Sequence, residues 1–199
     1  MSVNLTKGQK VSLTKENPGL KSIVVGLGWD AARPRGGLLG GLFSSTPNID
    51  CDASAIMLQN GRYIAKEDVV YFGNLTHRSG AVRHMGDNLT GDGDGDDEQI
   101  IIDLQRVPAN YDKIVIVVNI YAAYQRKQDF GMIENAFVRI VDGSTGREML
   151  RYNLSENYPG MTAMIFGEVY RHNGEWKFSA VGAGTRDGSI GDLARRYTK

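Results

Sequence analysis

Short stretches of apolar and β-branched residues recur along the chain, separated by turns rich in glycine, asparagine and proline. The run at 113–121 is β-branched throughout and apolar on both faces, which is typical of a central, fully buried strand. Further strands are predicted at 23–29, 50–58, 69–72, 99–104, 136–141, 148–154 and 161–170. Asn60-Gly61 and Asn173-Gly174 indicate tight turns, and the second of them predicts a hairpin between Tyr170 and Trp176.

Two near-copies of one pentapeptide lie close together, Val-Asn-Leu-Thr-Lys at 3–7 and Val-Ser-Leu-Thr-Lys at 11–15. Apolar positions alternate in both copies, which predicts a β-hairpin. A helix is expected only at 189–197, where Ser189 is a suitable N-cap. Segments 31–49, 75–85 and 125–131 are predicted to be loops or polar connections. Many short strands with hardly any helix indicate a single all-β domain over 1–199, an antiparallel β-sandwich with a short C-terminal helix.

The most distinctive stretch is 86–98, Gly-Asp-Asn-Leu-Thr-Gly-Asp-Gly-Asp-Gly-Asp-Asp-Glu, which carries six carboxylates and no Lys or Arg. Like charges packed this closely repel one another, by about 1 kcal/mol per pair at 4 Å even in bulk water. A divalent cation would offset the repulsion, and carboxylate oxygens favour calcium or magnesium over zinc or copper. The alternative is a solvated acidic loop without a ligand.

Other binding motifs fit this stretch poorly. An EF-hand loop that begins at Asp92 would need glycine at its sixth position, where the chain has Asp97, and its flanks are strands instead of helices. A phosphate-binding loop needs a following lysine, which is absent, and the carboxylates would repel a phosphate. His77, His84 and Cys51 lack the spacing of zinc ligands. The interpretation that remains is an irregular calcium site formed by a loop between β-strands.

A second acidic pair lies at the start of the strand predicted at 50–58. The period of two along a strand places Asp50 and Asp52 on one face and Cys51 on the other. These carboxylates are candidates for cation binding, and paired carboxylates can also activate water in a hydrolase. No nucleophile–base pair or oxyanion hole can be read from the sequence. The adjacent acids should raise the pKa of the Cys51 thiol, which argues against a redox role.

The overall composition narrows the cellular context. Lys+Arg and Asp+Glu both number 23, so that no net charge recruits nucleic acid or membrane. Cys51 is the only cysteine, which rules out a disulfide framework. The N-terminus lacks the apolar core of a signal peptide, and no run of about 18 apolar residues predicts a membrane span. A cytoplasmic location is expected, including a peripheral position at the inner face of the membrane.

Several motifs together resemble the TerD family of bacterial tellurium-resistance and calcium-binding stress proteins. The resemblance covers nearly the whole chain, and the acidic stretch is its most specific part. The matching segments are Gly-Leu-Gly-Trp-Asp at 26–30, Asp-Cys-Asp-Ala-Ser-Ala at 50–55, the acidic stretch at 86–98, Phe-Val-Arg-Ile-Val at 137–141, and Gly-Glu-Val-Tyr-Arg-His-Asn-Gly-Glu-Trp-Lys at 167–177.

The resemblance implies a β-sandwich whose acidic loops bind calcium, more than one ion in total. The ligands that it implies are oxygen donors in the two acidic motifs and at two further strand ends: Asp30, Asp50, Asp52, Asn74, Asp87, Asn88, Asp92, Asp94, Asp96, Asp97 and Glu98. The Gly- and Leu-rich segment 31–49 departs from the short acidic approach that the family commonly has before its Asp-x-Asp pair.

The function that the resemblance implies is calcium-dependent resistance to tellurite and other chemical stress. Tellurite is an oxyanion, and a cluster of carboxylates would repel it, so direct capture by the acidic stretch is not expected. We expect a non-enzymatic module that presents a surface to protein partners of the resistance system, membrane proteins among them. A calcium-dependent hydrolase on the same scaffold is the alternative, and it would need an open metal position beside a cleft.

Overall fold

Two β-sheets stack face to face and form a sandwich. The computed structural model describes residues 2–32, 49–86 and 95–199. In these ranges sheet A has the order β1 (Val3–Leu5), β10 (Glu148–Asn153), β9 (Ile133–Asp142), β3 (Ser22–Ala31), β7 (Glu98–Asp103) and β6 (Val82–His84). Sheet B has the order β2 (Lys10–Ser12), β12 (Glu175–Thr185), β11 (Ala163–His172), β8 (Lys113–Ile120), β4 (Cys51–Leu58) and β5 (Val69–Val70). All neighbouring strands in the described ranges are antiparallel except β1 and β10, so the predicted antiparallel β-sandwich is confirmed with one parallel pair at an edge.

The main core lies between the sheets and follows from the alternation of side chains. In β7, Ile100 and Ile102 are buried whereas Gln99 and Ile101 are partly exposed, as a strand with one covered face requires. β8 is buried along nearly its whole length. It lies between β11 and β4, which confirms the prediction that 113–121 is a central strand.

A smaller apolar cluster covers part of the outer face of sheet B. Helix α2 (Ile190–Arg195) contributes Leu193 and Ala194 to this cluster, and they pack with β4 and β8 side chains such as Ile56 and Val117. Ser189 caps the helix by accepting a hydrogen bond from the backbone N–H of Asp192, as the sequence predicts. The other helical segments in the described ranges are α1 (Ala123–Arg126) and two 3-10 turns, Lys66–Asp68 and Phe130–Met132. Among the helices described, none is both long and apolar enough to cross a bilayer.

Both predicted asparagine–glycine turns are confirmed. Asn60 and Gly61 have φ angles of 51° and 73°, and Asn173 and Gly174 have φ angles of 53° and 76°. Two successive residues with positive φ form the type I′ geometry that matches the twist of a hairpin. The second turn joins β11 to β12, the longest strands of sheet B.

Four local predictions were wrong. The near-copies at 3–7 and 11–15 do not form a hairpin, since β1 pairs with β10 in sheet A and β2 pairs with β12 in sheet B. The strand predicted at 69–72 ends at Val70, and the segment 75–85, predicted as a connection, contains β6. Helix is also not confined to the tail, because α1 lies just after β8.

Candidate metal centre

The C-terminal end of the acidic stretch (86–98) is hydrogen-bonded to the end of β3. The backbone N–H of Asp97 donates to the carbonyl of Leu27 at 2.8 Å, and Asp97 Oδ2 accepts from the backbone N–H of Trp29 at 2.7 Å. These bonds extend the β3–β7 pairing by one step beyond Glu98. The last acids of the segment are therefore held at one end of the sandwich, next to Asp30.

Asp96 is held by an arginine from the neighbouring strand. Arg139 of β9 donates from Nε to Oδ1 at 2.7 Å and from Nη2 to Oδ2 at 3.0 Å, and Gln99 donates to Oδ2 at 3.0 Å. The carboxylate lies directly over Gly26, where a Cβ would approach Oδ2 to 2.2 Å. Hydrogen bonding to Asp96 raises the pKa of the Arg139 guanidinium. Asp96, predicted as a calcium ligand, thus has both oxygens bound to protein donors.

Among the described residues, no lysine or arginine pairs with Glu98. Its side chain is buried between the sheets, and Oε2 accepts a hydrogen bond from the backbone N–H of Ala53. The Nε2 atom of His84 lies 3.5 Å from the same oxygen. His84 Nδ1 accepts from the N–H of Gly86 at 3.0 Å, and Nε2 is 3.1 Å from the carbonyl of Ala53. Nδ1 is therefore the acceptor of this ring, and Nε2 faces both the carbonyl of Ala53 and Glu98 Oε2.

The surroundings of Asp97 disfavour the ionised form of its carboxyl group. Burial raises the pKa of its carboxyl group, and the carboxylates of Asp30, Asp96 and Glu98 raise it further, whereas the hydrogen bond from Trp29 lowers it. Within the described ranges, neither Asp97 nor Glu98 forms an ion pair with a lysine or arginine. Asp97 and Glu98, at the entry to β7, therefore differ from Asp96, which is paired with Arg139.

We expect Asp97→Asn to raise the thermal midpoint of the calcium-free protein at pH 7, by about 2 °C. The amide can still accept from Trp29, and the charge repulsion is removed. Because the folded-state pKa of Asp97 lies above its ordinary value of 3.8, the free energy of unfolding falls as pH rises through this pKa. Melting curves of chelator-treated protein at pH 7 and pH 4 check this, and the gain should vanish at pH 4. Asp103→Asn, at the other end of β7, is the control.

The remaining predicted ligands are distributed over several places. Asp30 is exposed and accepts from Asn135 Nδ2 at 2.8 Å, within electrostatic reach of Asp97. Asp50 is paired with Arg126 at 3.5 Å. Asp52 lines a groove on the outer face of sheet B, and Asn74 donates to the carbonyl of Val69 at 2.7 Å in a turn beside β5. The predicted ligands Asp87, Asn88, Asp92 and Asp94 lie outside the described residues.

The donors in the described ranges do not form a cage by themselves. Across 2–32, 49–86 and 95–199, no three His, Cys, Asp or Glu side chains come close enough to hold a metal ion. A cation bound at Asp97 and Glu98 would need further oxygen donors from 87–94. Of the predicted ligands, Asp97 and Glu98 thus form one acidic wall at this end of the sandwich.

Cys51 lies beside this wall and faces the core, as the alternation along β4 predicts. Burial is the main reason that its thiol pKa is raised well above the ordinary value, and the carboxylates of Asp52, Glu98, Asp50 and Asp97 raise it further. The direction agrees with the sequence-based expectation, although the influence of Glu98 was missed. The thiol is not activated as a nucleophile.

A second buried polar network invites comparison with a hydrolase triad. His77 Nδ1 is 2.7 Å from Ser79 Oγ, and His77 Nε2 is 3.4 Å from Asp68 Oδ1. Asp68 Oδ1 also accepts from the hydroxyl of Tyr111 at 2.5 Å, and the His77 and Asp68 side chains have no exposed surface. Ser79 Oγ accepts from the N–H of Ala81 at 3.2 Å. The network joins three loops, and its buried histidine cannot meet a substrate, so these contacts indicate a structural role.

Two contributors to the acidic end were missed from sequence. His84 was considered only as a zinc ligand and rejected on its spacing, and its buried contact with Glu98 depends on β6, which was not predicted. Arg139 is the one charged residue in Phe-Val-Arg-Ile-Val. An arginine within such an apolar strand is a signal that a buried carboxylate faces it.

Comparison with known proteins identifies the chain's relatives. The model of the TerD domain matches residues 1–197. The chain belongs to the TerD family. It is 57% identical over 201 residues to stress response protein SCP2 of Bacillus subtilis (strain 168), covering 99% of this chain and 100% of that protein. It is 48% identical over 198 residues to tellurium resistance protein TerD of Serratia marcescens, covering 99% and 97%.

A solved structure supports the same fold. A crystal structure of a homologue of telluride resistance protein TerD from Streptomyces coelicolor A3(2) superposes with a TM-score of 0.61 at 23% identity. The match covers 85% of this chain and 92% of that one. The TerD-family sandwich is therefore retained at low sequence identity, and the TerD relatives of higher identity carry names that refer to stress and tellurium resistance.

Proposed function

We propose that this TerD-family protein binds calcium at the end of β3 and β7 and acts in stress and tellurite resistance as a calcium-dependent interaction module. The observation that carries the proposal is the contrast between adjacent acids. Asp96 is matched by Arg139, whereas Asp97 and the buried Glu98 have no lysine or arginine partner in the described ranges. A buried carboxylate without a counter-charge is costly, and a bound cation removes that cost.

The chemistry of the donors suits calcium. Asp97 and Glu98 offer hard carboxylate oxygens, and each has one oxygen that accepts a backbone N–H, so the other can face a cation. Asp87, Asn88, Asp92 and Asp94 would complete the set, with Asp30 nearby. Calcium accepts six to eight oxygens in irregular geometry, whereas magnesium demands a tighter octahedron. We assign Asp96 to holding the segment in place, and we give no ligand role to Asn74.

A calorimetric titration tests the proposal directly. Wild-type protein should bind calcium, and the Asp97→Asn/Glu98→Gln double variant should lose at least the ion at this end, because each replacement removes charge but keeps the backbone hydrogen bond. Asp103→Asn should bind as wild type does. Equal calcium affinity and stoichiometry in the double variant and the wild type would contradict the proposal.

The same site explains why the role should be one of interaction. A cation would fix the acidic segment against the end of the sandwich and so present a defined surface to partner proteins of the resistance system, including membrane proteins at the inner face of the cytoplasmic membrane. Names among the relatives refer to resistance and stress, not to a reaction. A non-enzymatic, cytoplasmic protein is consistent with a surface for partner proteins and with the names of these relatives. Calcium-dependent complex formation with such a partner, lost in the double variant, is the corresponding test.

A further inference from the structure

A separate groove lies on the outer face of sheet B, beside the N-terminal end of α2. It encloses about 320 Å³. Asp52 and Ser54 of β4 and Asn119 of β8 form its polar side, and Tyr71, Phe72 and Tyr121 form its aromatic side. A cavity of this size, with a few polar groups among aromatic side chains, is at the lower end of the range for small-molecule sites.

The polar side brings three oxygen-bearing side chains together. Asp52 and Asn119 are directly opposite one another in the β4–β8 register, and Ser54 is two residues further along β4 on the same face. Side chains in these positions lie about 5 to 8 Å apart. Their proximity follows from the pairing of the strands and does not depend on any loop.

Ser54 points to a ligand. Its side chain lines the groove, only 1% of the residue is exposed, and its Oγ has no hydrogen-bond partner among the described residues. Buried hydroxyl groups are nearly always hydrogen-bonded, because an unsatisfied one costs about 1 to 3 kcal/mol. A polar group bound in the groove would satisfy it.

The aromatic side is unusually exposed for an otherwise well-buried sandwich. Phe72 is 54% exposed and Tyr121 is 50% exposed. Tyr71 supports Phe72 edge-to-face, with ring centroids 5.2 Å apart. The Tyr121 ring already attracts a cation from the protein, since the guanidinium of Arg126 lies 5.1 Å from its centroid. These rings offer both apolar surface and the negative π-face that cations favour.

The lining residues of the groove indicate whether its ligand is a cation or an anion. Asp52 is the one carboxylate among its lining residues, and no lysine, arginine or histidine lines it in the described ranges. The nearby charge of Arg126 is matched by Asp50 at 3.5 Å. Oxygen acceptors and exposed ring faces without a lining basic side chain suit a cation better than an anion.

We propose that this groove binds an alkylammonium ion. An ammonium group has three N–H donors and no acceptor, and the groove offers three oxygen acceptors on Asp52, Ser54 and Asn119. The alkyl stem would pack against Phe72 and Tyr121. The ion is either a free small amine or the side chain of a lysine in another protein, since both present the same chemistry.

The test is an NMR titration of the calcium-saturated, full-length protein with n-butylammonium chloride. We expect saturable shifts at Ser54, Asn119 and Tyr121. Ser54→Ala should weaken binding about tenfold, because a hydrogen bond to a charged group is lost. Asp52→Asn should weaken it at least as much, whereas Glu16→Gln, an exposed carboxylate elsewhere, should not.

Phe72→Ala should weaken binding and Leu75→Ala, which is 46% exposed and outside the groove, should not.

Comparison ligands decide the remaining outcomes. Butanol and butyrate share the stem without the positive charge and should not bind. Saturation by butylammonium but not by the peptide acetyl-Gly-Lys-Gly-amide assigns a free amine, and saturation by the peptide assigns a protein lysine. Absence of saturable shifts, or equal affinity in Ser54→Ala and wild type, would each overturn the assignment. Loss of calcium binding in Asp97→Asn/Glu98→Gln is measured separately, so that the two proposals fail independently.

Discussion

Replacement of Arg139 by methionine should lower the free energy of unfolding by about 3 kcal/mol, near the lower end of the range for a broken buried ion pair. The Asp96 side chain is 1% exposed, so its charge would remain buried without the two hydrogen bonds from Arg139. Arg139 itself is 27% exposed, which allows water to reach part of the gap and limits the loss. Urea unfolding curves give the measurement.

Two further variants distinguish charge from packing in this pair. Arg139→Met/Asp96→Asn should recover most of the lost stability, because the amide does not need a counter-charge. Arg196→Met, which removes an exposed pair with Asp187, should cost less than about 1 kcal/mol. A double variant as unstable as Arg139→Met alone would show that packing of the arginine stem, not the buried carboxylate, accounts for the loss.

Calcium at about 1,000 times its dissociation constant should stabilise the folded protein by about 4 kcal/mol, because only the folded chain brings the donors together. For a chain of 199 residues this corresponds to a rise in thermal midpoint of about 8 to 16 °C. The raised pKa of Asp97 makes protons effective competitors, so the rise should be largest at neutral pH and should shrink as pH falls toward 4. Melting curves across this pH range check both statements.

Magnesium at the same concentration should produce a smaller rise, because its smaller, strictly octahedral shell fits an irregular set of oxygens less well. Glu98→Gln should reduce the calcium effect while keeping the bond to the N–H of Ala53. Identical midpoints in chelator and in saturating calcium at pH 7 would contradict calcium binding to the folded protein.

The sequence predicts those features of the fold that depend on local patterns. The β-branched run of β8, the positive-φ preference of Asn173-Gly174 and the capping ability of Ser189 are properties of a few adjacent residues, and each was predicted. Partner choice is not local. The two pentapeptides at 3–7 and 11–15 suit a hairpin equally well, and only competition with β10 and β12 directs them to different sheets.

The candidate site shows the same division. Composition indicates which residues carry charge, and the acidic stretch stands out for that reason. It does not indicate which carboxylates the fold neutralises, because Arg139 is 43 positions from Asp96 and meets it through the order of β9, β3 and β7. Phe72 was also predicted to end a strand, but the strand ends at Val70 and the ring is exposed, because an aromatic residue does not show whether the sheet continues beside it.

The outermost strands of both sheets are very short. β1, β2 and β6 have three residues each and β5 has two, so none presents a long row of unpaired backbone groups. Long exposed edge strands are the places where β-proteins pair with other chains and aggregate. We expect a sandwich with such short edge strands to resist edge-to-edge association, because little of its edge backbone is open to pairing with another chain.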